Sequence, residues 1–246
     1  MRLVTLLVLL APVAHADTRS DLIATLRGFS GDAPLTARVE VAVADISDET
    51  AKSVPADSTG TALVSMGPDG LSIRWSRDQL GGTTEVAVAE DGPRSGSLRA
   101  IESLSVSRLT GYLNAAPDIM RVLEDAVVTG EQEATWGGRP VRLVTLKVTP
   151  KLDEKSRKYV KDLEAGAKLW LDSDGVPVAA ERRVHVRGRA MLVISFESTE
   201  TESYEFSRVA DRLVVTQHTK ETRGSGAGES TQRKATARLM LDPPAG

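Results

Sequence analysis

Residues 167–187 of this chain, Ala-Lys-Leu-Trp-Leu-Asp-Ser-Asp-Gly-Val-Pro-Val-Ala-Ala-Glu-Arg-Arg-Val-His-Val-Arg, predict an antiparallel β-hairpin. The stretch Asp172-Ser173-Asp174-Gly175 is rich in turn-forming residues, because aspartate and serine side chains bond to nearby backbone N–H groups and glycine adopts positive φ. Strand-forming residues lie on both sides of it, in Ala167–Leu171 and Val176–Arg187. An isolated hairpin is only marginally stable in water, so further strands are expected beside this one.

Similar strand patterns continue in both directions along the chain. Upstream, apolar and polar residues alternate over 35–43, and Gly67-Pro68-Asp69-Gly70 separates two shorter apolar runs. Downstream, Gly188 predicts a turn, after which Ala190–Glu197 runs back as the next strand. Three further strands are predicted at Tyr204–Val209, Leu213–Thr219 and Lys234–Leu241. Because period-two alternation is typical of half-buried strands and sequential strands usually pair, the sequence predicts a large antiparallel sheet.

Three segments have helical patterns. Asp17–Arg27 has apolar residues on one side and is followed by Gly28, a common helix stop. Residues of about 97–127 form an apolar helical insertion, in which Ser97 can cap the first helix and Pro117 begins the second. Pro150–Glu164 predicts an amphipathic surface helix with nearly balanced charge. The predicted fold class is therefore α+β and β-dominated, with the insertion covering one face of the sheet.

The first sixteen residues predict a secretory signal peptide. Arg2 supplies positive charge, Leu3–Leu10 is a short apolar run, and Ala14-His15-Ala16 is a small-x-small cleavage site. The apolar run is far shorter than the roughly 20 residues that span a bilayer, so it does not predict a stable membrane anchor. We expect cleavage after Ala16, a single domain over residues 17–246, and a periplasmic location. No cysteine follows the cleavage site, so the chain cannot become an acylated lipoprotein.

The composition excludes several classes of site. The chain contains no cysteine, and only His185 and His218 follow the predicted leader, so thiolate chemistry and multi-histidine metal sites are excluded. Both histidines are predicted to lie on solvated strand faces. The formal net charge is −3 and charges of both signs are interspersed, so the pattern does not indicate a nucleic-acid surface.

Two segments resemble ligand-binding loops but lack essential parts. Arg223–Ser230 is glycine-rich, but it has neither the Lys-Ser/Thr ending nor the strand-to-helix context of a phosphate-binding loop. Asp172–Gly175 has no later acidic residue to complete a calcium site. Both are predicted to be hairpin turns. No Gly-x-Ser-x-Gly hydrolase motif occurs. The sequence predicts no catalytic residue, no metal and no cofactor, and we expect a protein that is not an enzyme.

The order of these elements resembles the LolA/LolB-like periplasmic lipoprotein carriers. The motif is the run Lys168-Leu169-Trp170-Leu171-Asp172-Ser173-Asp174-Gly175-Val176-Pro177-Val178, followed by a long returning strand. The resemblance covers most of residues 18–241 in element order. It implies a strongly curved, incomplete β-barrel whose mouth is closed by helices around an apolar cavity that carries lipoprotein acyl chains. Two departures are an aromatic content of only 4% and the arginine-rich strand 182–189.

These observations favour a non-enzymatic periplasmic carrier that binds an acyl chain or a lipoprotein-like apolar ligand between sheet and helices. The expected partner is a lipid or an acylated lipoprotein; the sequence leaves the oligomeric state open. The alternative is an envelope sensor or interaction module with a self-filled core, using Arg183, Arg187 and the helix at 151–164 as partner surfaces. The candidate cavity residues are Leu71, Ile73, Trp75, Leu109, Leu113, Leu123, Trp170, Leu192, Ile194 and Phe196.

Overall fold

The computed structural model describes residues 15–45, 58–76, 100–150, 152, 154–190 and 194–241. The helices are α1 (His15–Arg27), α2 (Val106–Leu113), α3 (Ala116–Glu124) and the short α4 (Glu154–Arg157). The strands are β1 (Leu35–Asp45), β2 (Ser58–Gly67), β3 (Gly70–Trp75), β4 (Ala126–Trp136), β5 (Arg139–Val148), β6 (Val160–Leu171), β7 (Pro177–Ala190), β8 (Ile194–Val209), β9 (Arg212–Gly226) and β10 (Glu229–Leu241). Among the described residues, no helix combines the length and apolarity needed to cross a membrane.

The described strands form one ten-stranded sheet, in the order β3-β2-β1-β10-β9-β8-β7-β6-β5-β4. Strands β4 to β10 form an uninterrupted meander, and β10 then pairs with β1, so the first and last described strands are neighbours inside the sheet. Strands β3 and β4 are its two edges and do not pair with each other. The sheet is therefore a curved, open, incomplete barrel, and the predicted fold class is confirmed.

The core lies between the concave face of the sheet and the helices. Inward-facing residues recur at every second position, as in Ala37, Val39, Val41 and Val43 of β1, which are all buried. Helix α1 packs on α3 and β4, and α2 packs on β9. Burying these apolar side chains is the main driving force for the arrangement, because each contributes about 1.5–3 kcal/mol when removed from water.

The helix predicted at Pro150–Glu164 is wrong. Of its described residues only Glu154–Arg157 are helical, and β6 begins at Val160. Strand pairing overrides the local helical pattern, because residues of β6 from Val160 onward pair with β7 and the Arg189 N–H donates to the Tyr159 carbonyl at 2.8 Å. In the segment that the sequence offered as a solvated partner helix, Glu154–Arg157 is therefore helical and residues 160–164 belong to the sheet.

The turn predicted at Gly188 is also wrong. Gly188 lies inside β7, paired with Val160 of β6 and Phe196 of β8. A Cβ atom at this position would collide with the Tyr159 carbonyl oxygen and the Phe196 ring. The glycine is needed for this close approach within the sheet rather than for reversal of the chain.

The helical insertion is shorter and more divided than the sequence predicts. Residues 97–99 lie outside the described part of the chain, residues 100–102 are helical, and a break follows before α2. Ser105, not Ser97, caps α2 by accepting a hydrogen bond from the Arg108 N–H at 3.2 Å. The strand β4 begins at Ala126, so helix ends at Glu124. Residues 1–14 of the predicted leader also lie outside the described residues, and the cleavage site stays a prediction.

Candidate functional site: a cavity between helices and sheet

A cavity of about 430 Å³ lies between the helices α2 and α3 and the concave face of strands β5 to β9. Its apolar wall includes Leu123 from α3, Leu146 from β5, Leu169 from β6, Phe206 from β8 and Val215 from β9. Its volume falls in the range of about 300–1,000 Å³ that is typical of small-molecule sites. The cavity therefore has the size and the apolar wall that a ligand site requires.

Helix α2 presents two different faces. Leu109 and Leu113 are fully buried in the core, whereas Arg108 and Tyr112 line the cavity. Arg108 and Tyr112 are four residues apart, so they lie on the same face of the helix, one turn from each other. The helix thus fixes a guanidinium group and a phenol on the cavity side.

Asn114, between α2 and α3, fixes both helices to the sheet. Its side-chain amide donates to the Phe29 carbonyl at 3.1 Å, and its carbonyl oxygen accepts from the Leu213 and Ala116 N–H groups, each at 3.3 Å. The Ala115 N–H donates to the Leu213 carbonyl at 2.7 Å. These bonds hold the α2–α3 junction against the beginning of β9.

A cluster of polar side chains interrupts the apolar concave face beside the cavity. We call it the buried polar cluster; its members are Tyr112, Arg182, Glu202, Tyr204, His218 and Lys220. The Tyr112 hydroxyl lies 2.6 Å from His218 Nδ1, and the Tyr204 ring stacks on the imidazole with centroids 4.4 Å apart. His218 is only 4% exposed. The imidazole is thus enclosed by two aromatic rings.

Glu202 is the anionic centre of the buried polar cluster. Arg182 Nη1 donates to Glu202 Oε2 at 3.1 Å, and Lys220 Nζ lies 3.7 Å from Oε1 and also bonds to Glu200 at 2.5 Å. His218 Nε2 is 3.9 Å from Glu202 Oε1, which is too long for a hydrogen bond, and this buried nitrogen has no partner among the described residues. Glu202 together with Glu200, which lies beside the cluster, balances the charges of Arg182 and Lys220.

Burial controls the protonation of the cluster. It lowers the pKa of His218 from 6.5 to about 4; the Glu202 charge opposes this shift, and those of Arg108 and Lys220 reinforce it. Burial also raises the pKa of Tyr112 and of Tyr204 well above the ordinary value, and Glu202 adds to both rises. At neutral pH the imidazole is therefore neutral, and its Nδ1 shares a hydrogen bond with the Tyr112 hydroxyl.

The succession of hydroxyl, imidazole and carboxylate has the order of an acyl-transfer triad. Here the hydroxyl is a phenol whose pKa burial raises, and the carboxylate is already paired with Arg182 and Lys220. Both features work against forming a nucleophile at neutral pH. A hydroxyl becomes a nucleophile when its own pKa is lowered or when a neighbouring base is available to take its proton. No group of three His, Asp or Glu side chains in the described part of the chain is placed to hold a metal ion. The geometry of Tyr112, His218 and Glu202 therefore favours a polar boundary of the cavity over an acyl-transfer triad.

The sequence interpretation of His218 as a solvated residue is wrong, and a β-bulge is the reason. Gln217 pairs with Glu205, but Val215 pairs with Phe206, so Thr216 has no partner in the register. Leu213 and Val215 face inward before the bulge, and His218 and Lys220 face inward after it. Such a bulge moves the following residues to the opposite face of the sheet. Simple alternation would have placed His218 outside.

The ten predicted cavity residues are only partly brought together. Leu123 lines the cavity, while Leu109 and Leu113 are fully buried in the core beside it. Leu71, Ile73 and Trp75 pair with residues of β2 on the concave side, but at the edge of the sheet, and they are partly buried against the core.

Of the remaining four predicted residues, the two that the structure describes, Trp170 and Phe196, do not line the cavity. Trp170 lies on the outer face, where its ring centroid is 4.8 Å from that of Trp136, and its neighbour Leu169 faces the cavity instead. Phe196 lies near the far end of the sheet, paired with Gly188 and Gly226. Leu192 and the side chain of Ile194 lie outside what the structure describes.

Arg108, Tyr112, Glu202 and Tyr204 are cavity residues that the sequence did not single out as such. A usable signal was present for the helix, since Arg108 and Tyr112 recur at helical spacing next to Leu109 and Leu113. The strands offered no such signal. Over residues 200–206 charged and aromatic side chains occur among small polar ones, as they would in a strand with a solvated face.

Comparisons of this chain with protein-family models, with curated proteins and with solved structures found no match.

Proposed function

We propose that this protein is a non-enzymatic carrier that binds an acyl chain, or another apolar ligand such as that of a lipoprotein, in the cavity between α2, α3 and the sheet. The observation that carries the proposal is the cavity of about 430 Å³ with Leu123, Leu146, Leu169 and Phe206 in its wall. An apolar ligand would gain about 0.8 kcal/mol for each methylene group that it buries there.

The attachment of the helices supports a role for α2 and α3 as a movable lid. Asn114 and Ala115 bond to Leu213 at the α2–α3 junction, while the faces of both helices over β5 to β8 border the cavity. A lid hinged near Asn114 would admit a ligand without breaking the sheet. The periplasmic location remains a prediction from residues 1–16.

Binding of a neutral fluorescent probe, N-phenyl-1-naphthylamine, tests the proposal directly. The purified chain is freed of lipid by denaturing extraction and refolding, and the extract is examined by lipid mass spectrometry. We expect acyl lipids in the extract and saturable probe fluorescence from the refolded protein. Ala167→Trp should fill the cavity and weaken probe binding about tenfold or more, since Ala167 lies in its wall.

The matched control is Glu164→Trp, because Glu164 also belongs to β6, is exposed, and lies on the other side of the sheet, where its strand partner is His185. Its probe affinity should remain that of the unmodified chain. A lipid-free extract together with no probe binding would contradict the proposal and favour the alternative of an interaction module with a self-filled core.

A further inference from the structure

The charged residues of the cavity wall are paired, with one exception. Arg121 bonds to Asp118 at 3.0 Å, Arg182 to Glu202 at 3.1 Å, and Glu181 to Lys168 at 3.5 Å. The remaining charged wall residue is Arg108. None of the ion pairs formed within the described ranges includes Arg108, so its guanidinium is the one charged group of this wall without an ion-pair partner among them.

Most of the Arg108 guanidinium donors remain available to a ligand. Its Nη1 donates to the Ser103 carbonyl at 2.6 Å, which uses one of five N–H donors. The residue is partly buried and lines the cavity. A guanidinium group in this state binds carboxylate or phosphate well, because its planar fork makes two parallel charge-assisted hydrogen bonds with either anion.

The position of Arg108 in α2 is unfavourable without an anion. It lies in the first turn, where the helix dipole is positive, and this turn contains no acidic residue. Burial raises the pKa of the neighbouring Tyr112, and the charge of Arg108 opposes that rise. The Arg108 charge therefore acts on a side chain of the cavity wall. The helix end and the guanidinium therefore create positive potential at the same place.

We infer that the ligand of this cavity is a single-chain amphiphile with an anionic head group, carboxylate or phosphate, and that Arg108 binds that head group. The inference rests on the proposed carrier function and adds the chemical class of its ligand. The apolar wall formed by Leu146, Leu169 and Phe206 takes the chain, while Arg108 at the start of α2 determines the choice of head group.

Three ligands with the same chain and different heads test the inference. Dodecanoic acid, dodecyl phosphate and dodecan-1-ol are titrated into the lipid-free protein by calorimetry below their aggregation concentrations. At least one of the two anions should bind about tenfold tighter than the alcohol, as expected for a charge-assisted hydrogen bond to arginine. The tighter of the two identifies a carboxylate or a phosphate as the natural head.

Arg108 variants locate the preference. Arg108→Gln should remove the anion preference and leave binding of the alcohol within about twofold, whereas Arg108→Lys keeps the charge and should retain much of the preference. Arg187→Gln is the control, because Arg187 lies on the outer face, where it is 4.0 Å from Glu197. It makes the same change in net charge and should leave all three affinities unchanged.

The outcomes separate this inference from the proposed function. Equal binding of the alcohol and both anions by the unmodified protein would overturn the anionic head group while leaving the carrier proposal intact. An anion preference that survives in Arg108→Gln would overturn the role of Arg108. Failure of all three ligands and of N-phenyl-1-naphthylamine to bind would overturn the carrier proposal, and the inference with it.

Discussion

The concave face of the sheet has two halves that bury their side chains in different ways. On β1, β2 and β10 the inward residues are small and apolar, such as Val39, Val64 and Ala237, and they pack without polar partners. On β7, β8 and β9 the inward residues include Arg182, Glu202 and His218, which form the buried polar cluster beside the cavity. The same sheet thus has a dry half and a polar half.

These two ways of burying side chains indicate which part of the concave face serves stability alone. A buried ion pair is seldom worth more than apolar side chains of similar size, because desolvation offsets the attraction between the charges. The polar half therefore contributes less to folding than apolar residues would in its place. Its charges border a cavity, and the dry half borders none of the cavity wall. The polar half is the part that we associate with a ligand.

Placing a carboxylate in each half should give the largest effect. Val39 is fully buried in β1 between Ala62 and Leu239, so Val39→Asp is expected to lower the free energy of unfolding by about 4 kcal/mol or more. Ala180→Asp places the same group in the cavity wall, where water can reach it, and should cost about 1–2 kcal/mol. Urea denaturation followed by tryptophan fluorescence measures both, and equal losses would contradict the division into two halves.

The second effect is a pH dependence of the polar half. Because the pKa of His218 falls from 6.5 in the unfolded chain to about 4 in the folded one, the unfolded chain binds the extra proton first as the pH falls. The contribution of the neutral His218 imidazole to the free energy of unfolding is full above pH 6.5, declines as the pH falls, and is lost by about pH 4. The total change is about 3 kcal/mol. The groups facing His218 are Tyr112 and Arg108 from α2, Glu202 and Tyr204 from β8, and Lys220 from β9.

Urea denaturation between pH 7 and pH 4 checks this dependence. His218→Gln keeps a polar side chain for Tyr112 but removes the titrating group, so its stability should fall less than that of the unmodified chain. His185→Gln is the control, since His185 lies on the outer face beside Thr199 and Glu197. His185→Gln should lose stability with falling pH as the unmodified chain does, because His218 is still present. If the free energy of unfolding depended on pH equally in all three proteins, a buried neutral imidazole at His218 would be ruled out.

The fold could be predicted from the sequence because its signals are local and repeated. Alternation over 35–43 identified β1, and the turn residues at 172–175 and 223–230 identified two hairpins that the structure contains. In the first turn, Asp172 Oδ1 accepts from the Asp174 and Val176 N–H groups, each at 2.9 Å. Such bonds depend on residues within a few positions of each other, so the sequence is sufficient to infer them.

The cavity could not be predicted in the same way, because it depends on which face of each strand points inward. Leu169, Trp170 and Leu171 are all apolar, so alternation does not decide between the faces, and Trp170 turned out to lie outside. At Thr216 the bulge reverses the phase within one strand. Both facts depend on pairing with neighbouring strands, which a single sequence does not record.

A third effect distinguishes the buried polar cluster from surface ion pairs. The Glu202 side chain is 9% exposed and bonds to Arg182, so Glu202→Gln should lower the free energy of unfolding by about 1–3 kcal/mol. The figure stays below that of a fully buried pair because Arg182 remains 46% exposed. Glu221→Gln breaks the more exposed pair with Lys234 and should cost about 0.5 kcal/mol or less. Thermal and urea denaturation measure the stability of both variants. If Glu202→Gln and Glu221→Gln lost the same free energy of unfolding, the cluster would be no more than a network of surface ion pairs.

The smallest effect concerns the hydrogen bonds that join Asp211, on the polar side, to the segment that precedes β1 on the dry side. Asp211, in the turn between β8 and β9, accepts hydrogen bonds from the Ser30 hydroxyl at 2.6 Å and from the Asp32 and Ala33 N–H groups at 2.6 and 3.2 Å. These bonds, that of Ser30 first, lower the pKa of Asp211 from 3.8 to about 2. They hold the segment before β1, on the dry side, against the turn that leads into β9 on the polar side.

Asp211→Asn should therefore lower the midpoint of thermal unfolding by a small amount, because Asp211 is exposed and water screens its charge. The contribution of the carboxylate is full above about pH 3.8 and is lost as the pH falls to about 2, since the unfolded chain takes the proton first. Melting curves at pH 7 and pH 2 should thus differ less for Asp211→Asn than for the unmodified chain. Asp69→Asn, in the exposed turn between β2 and β3, is the control, and an equal effect there would mean that Asp211 does not connect the halves.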